Sequence, residues 1–336
     1  MTSSPLETKT GVSRATVSRR RFIKVAGAAG VVLVACGVAG YYALTKQGSS
    51  VTQKVTTTVT QSSRKSSAPT RQALSRPESC KRLSWMINVR ALDALLEAGL
   101  PEILVKHFFD NQDTFLMGSG QTEDVTLQLH SMPTQVFTSF ETLRQAFANN
   151  QIGPSTKAIV YDNEAWEFTP PNEQANPAIY EKRAAELVHD HSLTFICTPA
   201  VDLLKVLDPD THEDDMYTQY LTLGIAADAA RYSDIYEIQA QGSEINTDEF
   251  SQFVTSATQQ ARQANPNVIV LAGLSTGPSG KIATADELYD AATSVLDVVE
   301  GFWLNIPSKG QHCPSCTNPK PEVAVRFLQS LAVDGY

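Results

Sequence analysis

The chain has 336 residues and a net charge of −9, and that charge is unevenly placed. Residues 1–24 hold six basic side chains (Lys9, Arg14, Arg19, Arg20, Arg21, Lys24) against Glu7 alone, leaving 21 basic and 35 acidic residues, a net of −14, in the rest. A body of that sign stays soluble and repels phosphate backbones, which argues against nucleic acid as a partner.

The first segment reads as an address. Ser18-Arg19-Arg20-Arg21-Phe22-Ile23-Lys24 is followed directly by an uncharged run, residues 25–44. The pattern resembles the twin-arginine export signal, with Arg19 and Arg20 as the pair and Ile23 where Leu is usual. The resemblance implies export in the folded state, the twin-arginine translocase as a partner, and a site of action at the cell surface or beyond it. Twenty residues at about 1.5 Å each reach about 30 Å, enough to cross a bilayer as a retained anchor. Gly27, Gly30, Gly37 and Gly40 weaken that span. Leu33-Val34-Ala35-Cys36 also resembles a lipobox, with Cys36 as the lipidated residue; plain cleavage is the third reading. Residues 45–80 are rich in Ser, Thr and Gln, carry almost no large apolar side chain, and read as a flexible linker.

From residue 81 to 336, apolar runs alternate with helical patterns. The expected strands are 85–89, 103–109, 135–140, 158–162, 193–197, 234–239, 268–272 and 301–306. Helices are expected over 90–98, 141–149, 177–191, 216–231, 247–264, 284–299 and 321–333. Asn176-Pro177, Asn246-Thr247-Asp248 and Thr284-Ala285-Asp286 are helix-start signals. Alternation of this kind demands parallel strands joined by crossover helices. Eight units in this length match a single (β/α)8 barrel of the TIM type, with an open doubly wound sheet as the competing arrangement. No Gly-x-Gly-x-x-Gly follows the first strand, so no dinucleotide cofactor is expected.

In such barrels the reactive groups stand at the C-terminal ends of the strands. The fourth expected strand runs into Asp162-Asn163-Glu164-Ala165-Trp166. Strand alternation puts Asp162 and Glu164 on the face shared by Ala158 and Val160. Two carboxylates so placed raise the pKa of one, which keeps a proton available for a leaving group. The plainer reading is a pair of solvated loop acids. The sixth strand offers Glu237, Gln239 and Gln241 on one face, and the eighth offers Trp303 and Asn305. Asp110, expected to end the second strand, is a further candidate. Trp166 and Trp303 could stack on sugar faces or simply pack.

The fourth strand resembles that of chitinase-like glycoside hydrolases of family 18, which ends D-x-x-D-x-D-x-E; this chain has Lys157, Val160, Asp162 and Glu164 at those positions. The resemblance implies that Glu164 is the catalytic acid and that Asp162 orients a substrate acetamido group. Gln239 stands where that family frequently has Tyr, and Trp303 where it commonly has a subsite Trp. A glycan or small polar solute is therefore the expected substrate, with a non-catalytic glycan- or solute-binding barrel as the alternative and a purely structural envelope protein as the third.

Cys313-Pro314-Ser315-Cys316 follows the eighth strand. No second Cys pair exists to complete a zinc site, and outside the cytoplasm a local disulfide is the simpler expectation. No metal is expected, and no Gly-x-Ser-x-Gly elbow or His-Glu-x-x-His pair is present.

Overall fold

The computed structural model of the chain describes residues 82–118, 129–278, 281–310, 313, 316 and 318–336. The expectations placed on Arg19, Arg20, Cys36, the apolar run 25–44 and the linker lie outside the described residues. Among the described residues, no helix is long and apolar enough to cross a membrane.

Eight strands form a closed, all-parallel barrel in sequence order. They are β1 (Ser84–Asn88), β2 (Thr114–Met117), β3 (Met132–Phe137), β4 (Ala158–Tyr161), β5 (Thr194–Cys197), β6 (Ile235–Ile238), β7 (Ile269–Ser275) and β8 (Gly301–Asn305). The seam is the β1–β8 pairing, with Ser84 opposite Gly301 and Trp85 opposite Phe302. A side chain at Gly301 would overlap the backbone of Ser84, so glycine is what allows the ring to close there.

The helices are α1 (Val89–Glu97), α2 (Glu102–Phe109), α3 (Phe140–Ala148), α4 (Pro171–Gln174), α5 (Pro177–Asp190), α6 (Leu204–Leu207), α7 (Met216–Thr222), α8 (Ile225–Arg231), α9 (Thr247–Ala264), α10 (Ala285–Ser294) and α11 (Pro321–Val333). Local chemistry starts several of them. Asn246 accepts from the Glu249 amide to cap α9, and Thr284 and Glu287 form a reciprocal capping box on α10. The face of α9 that meets the sheet carries Phe250, Phe253, Val254, Ala257 and Ala261, the 3–4 spacing of an amphipathic helix.

Alternation along the strands divides the core in two. One set, including Met86, Phe115, Val160, Ile196 and Leu271, fills the barrel. The other, including Trp85, Phe195, Tyr236 and Phe302, faces the helices.

Two expected elements are corrected. Residues 103–109 are not the second strand but most of α2, whose buried Val105, Phe108 and Phe109 recur at helical spacing. The true β2 is Thr114-Phe115-Leu116-Met117, four buried residues. The expected helix 216–231 is two helices, α7 and α8, broken at Gly224, where φ is +72°. A positive φ is accessible to glycine without strain, and it turns the chain between them. Cys313 and Cys316 are joined by a disulfide.

Candidate active site at the barrel mouth

The parallel order puts every strand's C-terminal end on one rim. β4 ends at Tyr161, and Asp162 extends its line, its N–H donating to Phe137 O at 2.9 Å. The loop that follows is stitched to its neighbours. Thr169 Oγ1 accepts from Trp166 Nε1 at 2.9 Å and donates to Thr138 O at 2.7 Å. Gln174 Nε2 donates to the carbonyls of Trp166 and Thr169, each at 2.7 Å. Asp202, in the single turn after β5, accepts the Ala165 N–H at 2.9 Å. These bonds fix the stretch 162–166.

Asp162 is 7 % exposed and faces into the mouth. Its Oδ1 accepts from Thr198 Oγ1 and from Gln239 Nε2, each at 2.9 Å. Gln239 Nε2 also donates to Thr198 O at 2.9 Å, and the Glu164 carboxyl lies near enough for the Gln239 amide and the Asp162 charge to act on it. Asp162, Glu164 and Gln239 therefore meet across the ends of β4, β5 and β6. Below them Glu237 is fully buried, and neither carboxyl oxygen has a hydrogen-bond partner. Gln241 lies over β7, since a side chain at Gly273 would overlap its amide. Gly273 is the register partner of Trp303, which is half-buried against the interior set; Asn305 is half-buried two residues further on.

Burial dominates the electrostatics. It pushes the Asp162 carboxyl up to about 6, against the lowering effect of the Thr198 and Gln239 hydrogen bonds. Burial, with the charges of Asp162 and Asp202 added, pushes Glu164 up further, to about 9. Glu237 is driven well above the carboxylate range by burial and by both neighbouring acids. Near neutrality the cluster thus holds protons on Glu164 and Glu237 while Asp162 is largely ionised. A buried proton donor beside an ionised carboxylate is an arrangement that can serve general acid catalysis.

Not every candidate lies here. Asp110 ends no strand: it follows α2, at the end where β2 begins, and accepts from the N–H and ring nitrogen of His130 at 2.6 and 2.9 Å. That is the rim opposite the mouth. Trp166 is half-buried, with its N–H taken up by Thr169 and its ring edge-on to Phe168 at 5.0 Å. Sequence reasoning missed three groups. Thr198 shares a face with Ile196, two residues earlier, and strand alternation could have found it. Asp202 lies in a single 3-10 turn and Glu244 in the turn before α9, both too short to carry a periodic signal. Glu244 is buried, accepts from the Gly242 N–H and the Ser275 N–H (2.9 Å for the latter), and burial pushes it to about 7. Among the described residues, no group of three or more His, Cys, Asp or Glu side chains is placed to hold a metal ion.

No family model and no curated protein matches the chain. Among solved structures it is similar to a chitinase from Chromobacterium violaceum, at 10 % identity and a TM-score of 0.41, over 74 % of this chain and 99 % of that one. It is similar to a β-1,3-glucanosyltransferase mutant of Rhizomucor miehei in complex with laminaritriose, at 12 % and 0.37, over 67 % and 88 %. It is also similar to a sugar phosphate isomerase/epimerase from Parabacteroides distasonis, at 10 % and 0.42, over 79 % and 98 %. Likeness at this level decides nothing about substrate or reaction. The barrel stands on the chain's own strand order.

Proposed function

We propose that this chain is a glycan-active barrel working outside the cytoplasm, with Glu164 as general acid and Asp162 as its ionised partner. The observation that carries the reading is the closeness of Asp162, bonded to the Gln239 amide, and Glu164 in a buried mouth, where burial and the neighbouring acids hold the proton on Glu164 past neutrality. In glycoside cleavage Glu164 would donate that proton to the departing sugar oxygen, and the Asp162 carboxylate would offset positive charge developing on the ring. Gln239 holds Asp162 in place through its amide, beside Glu164. Trp303 and Gln241 offer a ring and an amide beside them for a sugar. Export through the twin-arginine route, and retention at the membrane by residues 25–44 or by lipid on Cys36, are proposed from the sequence pattern alone.

The test is incubation of the protein, and of Glu164→Gln, with a panel of cell-wall and N-acetylhexosamine glycans. Gln preserves shape and hydrogen bonding but has no transferable proton, so turnover should fall by about 100- to 10,000-fold while binding survives. Unchanged turnover moves the acid elsewhere, with Glu237 next in line. Binding at the mouth with no cleavage by either protein replaces the enzyme with a glycan-binding barrel.

A further inference from the structure

Glu181, buried outside the mouth, faces the sheet from α5, and neither of its carboxyl oxygens has a hydrogen-bond partner among the described residues. Sealed there, it offers nothing to a ligand. The open polar groups stand at the mouth, and one of them is seated in a notch. The interior-facing positions of β7 are Leu271, Gly273 and Ser275, and the middle one has no side chain. A Cβ at Gly273 would stand 2.4 Å from both Cδ and Nε2 of Gln241 and 2.6 Å from its Oε1. Three atoms at nearly one distance from a point place that point over the plane of their group. The Gln241 carboxamide therefore lies face-on to β7 at Gly273, with its N–H and carbonyl edges running alongside the strand rather than into it.

Those edges are open. Gln241 is half-buried, and among the described residues no hydrogen bond takes up its side chain. The side chains that β7 and β8 turn toward the mouth beside it, Ser275, Trp303 and Asn305, are uncharged; Trp303 is in register with Gly273 and Asn305 with Ser275. Across the mouth the charge is negative. Asp162 is largely ionised, and the cation that acts on Glu164, Lys205, is already paired with Asp202 at 3.3 Å. An anionic sugar would meet that charge without a free counter-ion. An uncharged ring meets no such cost, and a carboxamide, with one acceptor and two donors, matches a pair of neighbouring hydroxyl groups.

We propose that Gln241, seated in the Gly273 notch, is the residue by which the mouth selects its sugar: the face-on carboxamide takes two neighbouring hydroxyl groups of one uncharged ring. This rests on the glycan-active reading and adds the charge class of the ligand and the group that recognises it. Gly273 is part of the device, because a methyl group there would push the amide out of the notch. The fold itself should tolerate that methyl group. The three heavy atoms nearest to it all belong to the end of a flexible side chain, and alanine suits a strand at least as well as glycine does.

Calorimetric titration of the full chain carrying Glu164→Gln, which binds without cleaving, tests the assignment with laminaritriose, cellotriose, triacetylchitotriose and trigalacturonate. At least one uncharged trisaccharide should bind, and trigalacturonate should bind at least about tenfold more weakly. Gly273→Ala and Gln241→Ala should each weaken the uncharged ligand by about tenfold, the loss of one or two hydrogen bonds. The double variant should bind no more weakly than Gln241→Ala alone, because the methyl group acts only through the amide it displaces. With Glu164 intact, both substitutions should raise KM and leave kcat within about twofold. The proposal is overturned if no uncharged trisaccharide binds, if trigalacturonate binds as tightly, if Gly273→Ala or Gln241→Ala leaves affinity unchanged, or if the two losses add. A non-additive cycle with no turnover by any form would remove the enzyme and keep the selecting residue. An additive cycle with turnover lost in Glu164→Gln would do the reverse.

Discussion

Replacing Glu181 by Gln should change how the stability of this protein depends on pH, and the size of the change follows from the burial of one group. In the unfolded chain the carboxyl titrates near 4.5, and in the fold burial and the Asp228 charge raise it to about 8. Between those values the folded state holds a proton that the unfolded chain gives up. The sign follows: the contribution is fully present below the unfolded value and is lost as pH rises through the folded one. One proton of difference is worth about 1.4 kcal/mol per pH unit, so the whole window sums to an upper limit of about 5 kcal/mol. Gln resembles the protonated acid in shape and charge and does not titrate. The variant should therefore match the wild type near pH 4.5 and gain on it steadily above. Between about pH 5.5 and 7.5 the gap should open by about 2–3 kcal/mol, read from urea midpoints at constant m-value. Parallel stability profiles for the two proteins across that range would show that Glu181 titrates normally, and the argument from its burial would fall.

Three other outcomes are expected. Gly301→Ala should destabilise the barrel by about 3 kcal/mol or more, because the new methyl group meets the Ser84 backbone, which cannot move without opening the β1–β8 seam; thermal unfolding checks it. Gln239→Leu removes one of the two side-chain donors to Asp162 and the amide that acts on Glu164, so the apparent pKa of Asp162 should rise above its present raised value, as read by carboxyl infrared or NMR titration. A fall in that value would mean that Gln239 does not stabilise the charge. Arg19→Lys with Arg20→Lys should hold the protein inside the cell, since the guanidinium pair is what the translocase reads; normal surface amounts in a fractionation experiment would sink the export reading.

Much of the barrel was legible along the chain because helix and strand periods are local properties. α9 could be placed to the residue, since Asn246 caps it and its apolar positions recur every three or four residues. The carboxylates at the end of β4 were legible for a similar reason, as alternation from Ala158 and Val160 carries Asp162 to the inner face. Where the local signal was short or ambiguous, reading failed. Ile103–Phe109 is apolar enough for a buried strand, and the spacing of Val105, Phe108 and Phe109 identifies it as α2 only once its packing is known. β2, four residues long, is too brief to show a period.

The site itself depended on closure of the ring. Asp162 and Gln239 are 77 residues apart and touch only because β4, β5 and β6 are neighbours in a closed parallel sheet. No sequence spacing encodes that distance, and Thr198 and Asp202 join the cluster through the same adjacency. Glu181 shows the division most plainly. Its position in line with Ala184, Ala185 and Val188 could be read from α5 alone. Its lack of a partner could not, because whether a buried carboxyl is answered depends on what the facing strands and α8 bring to it, and that is decided by tertiary packing.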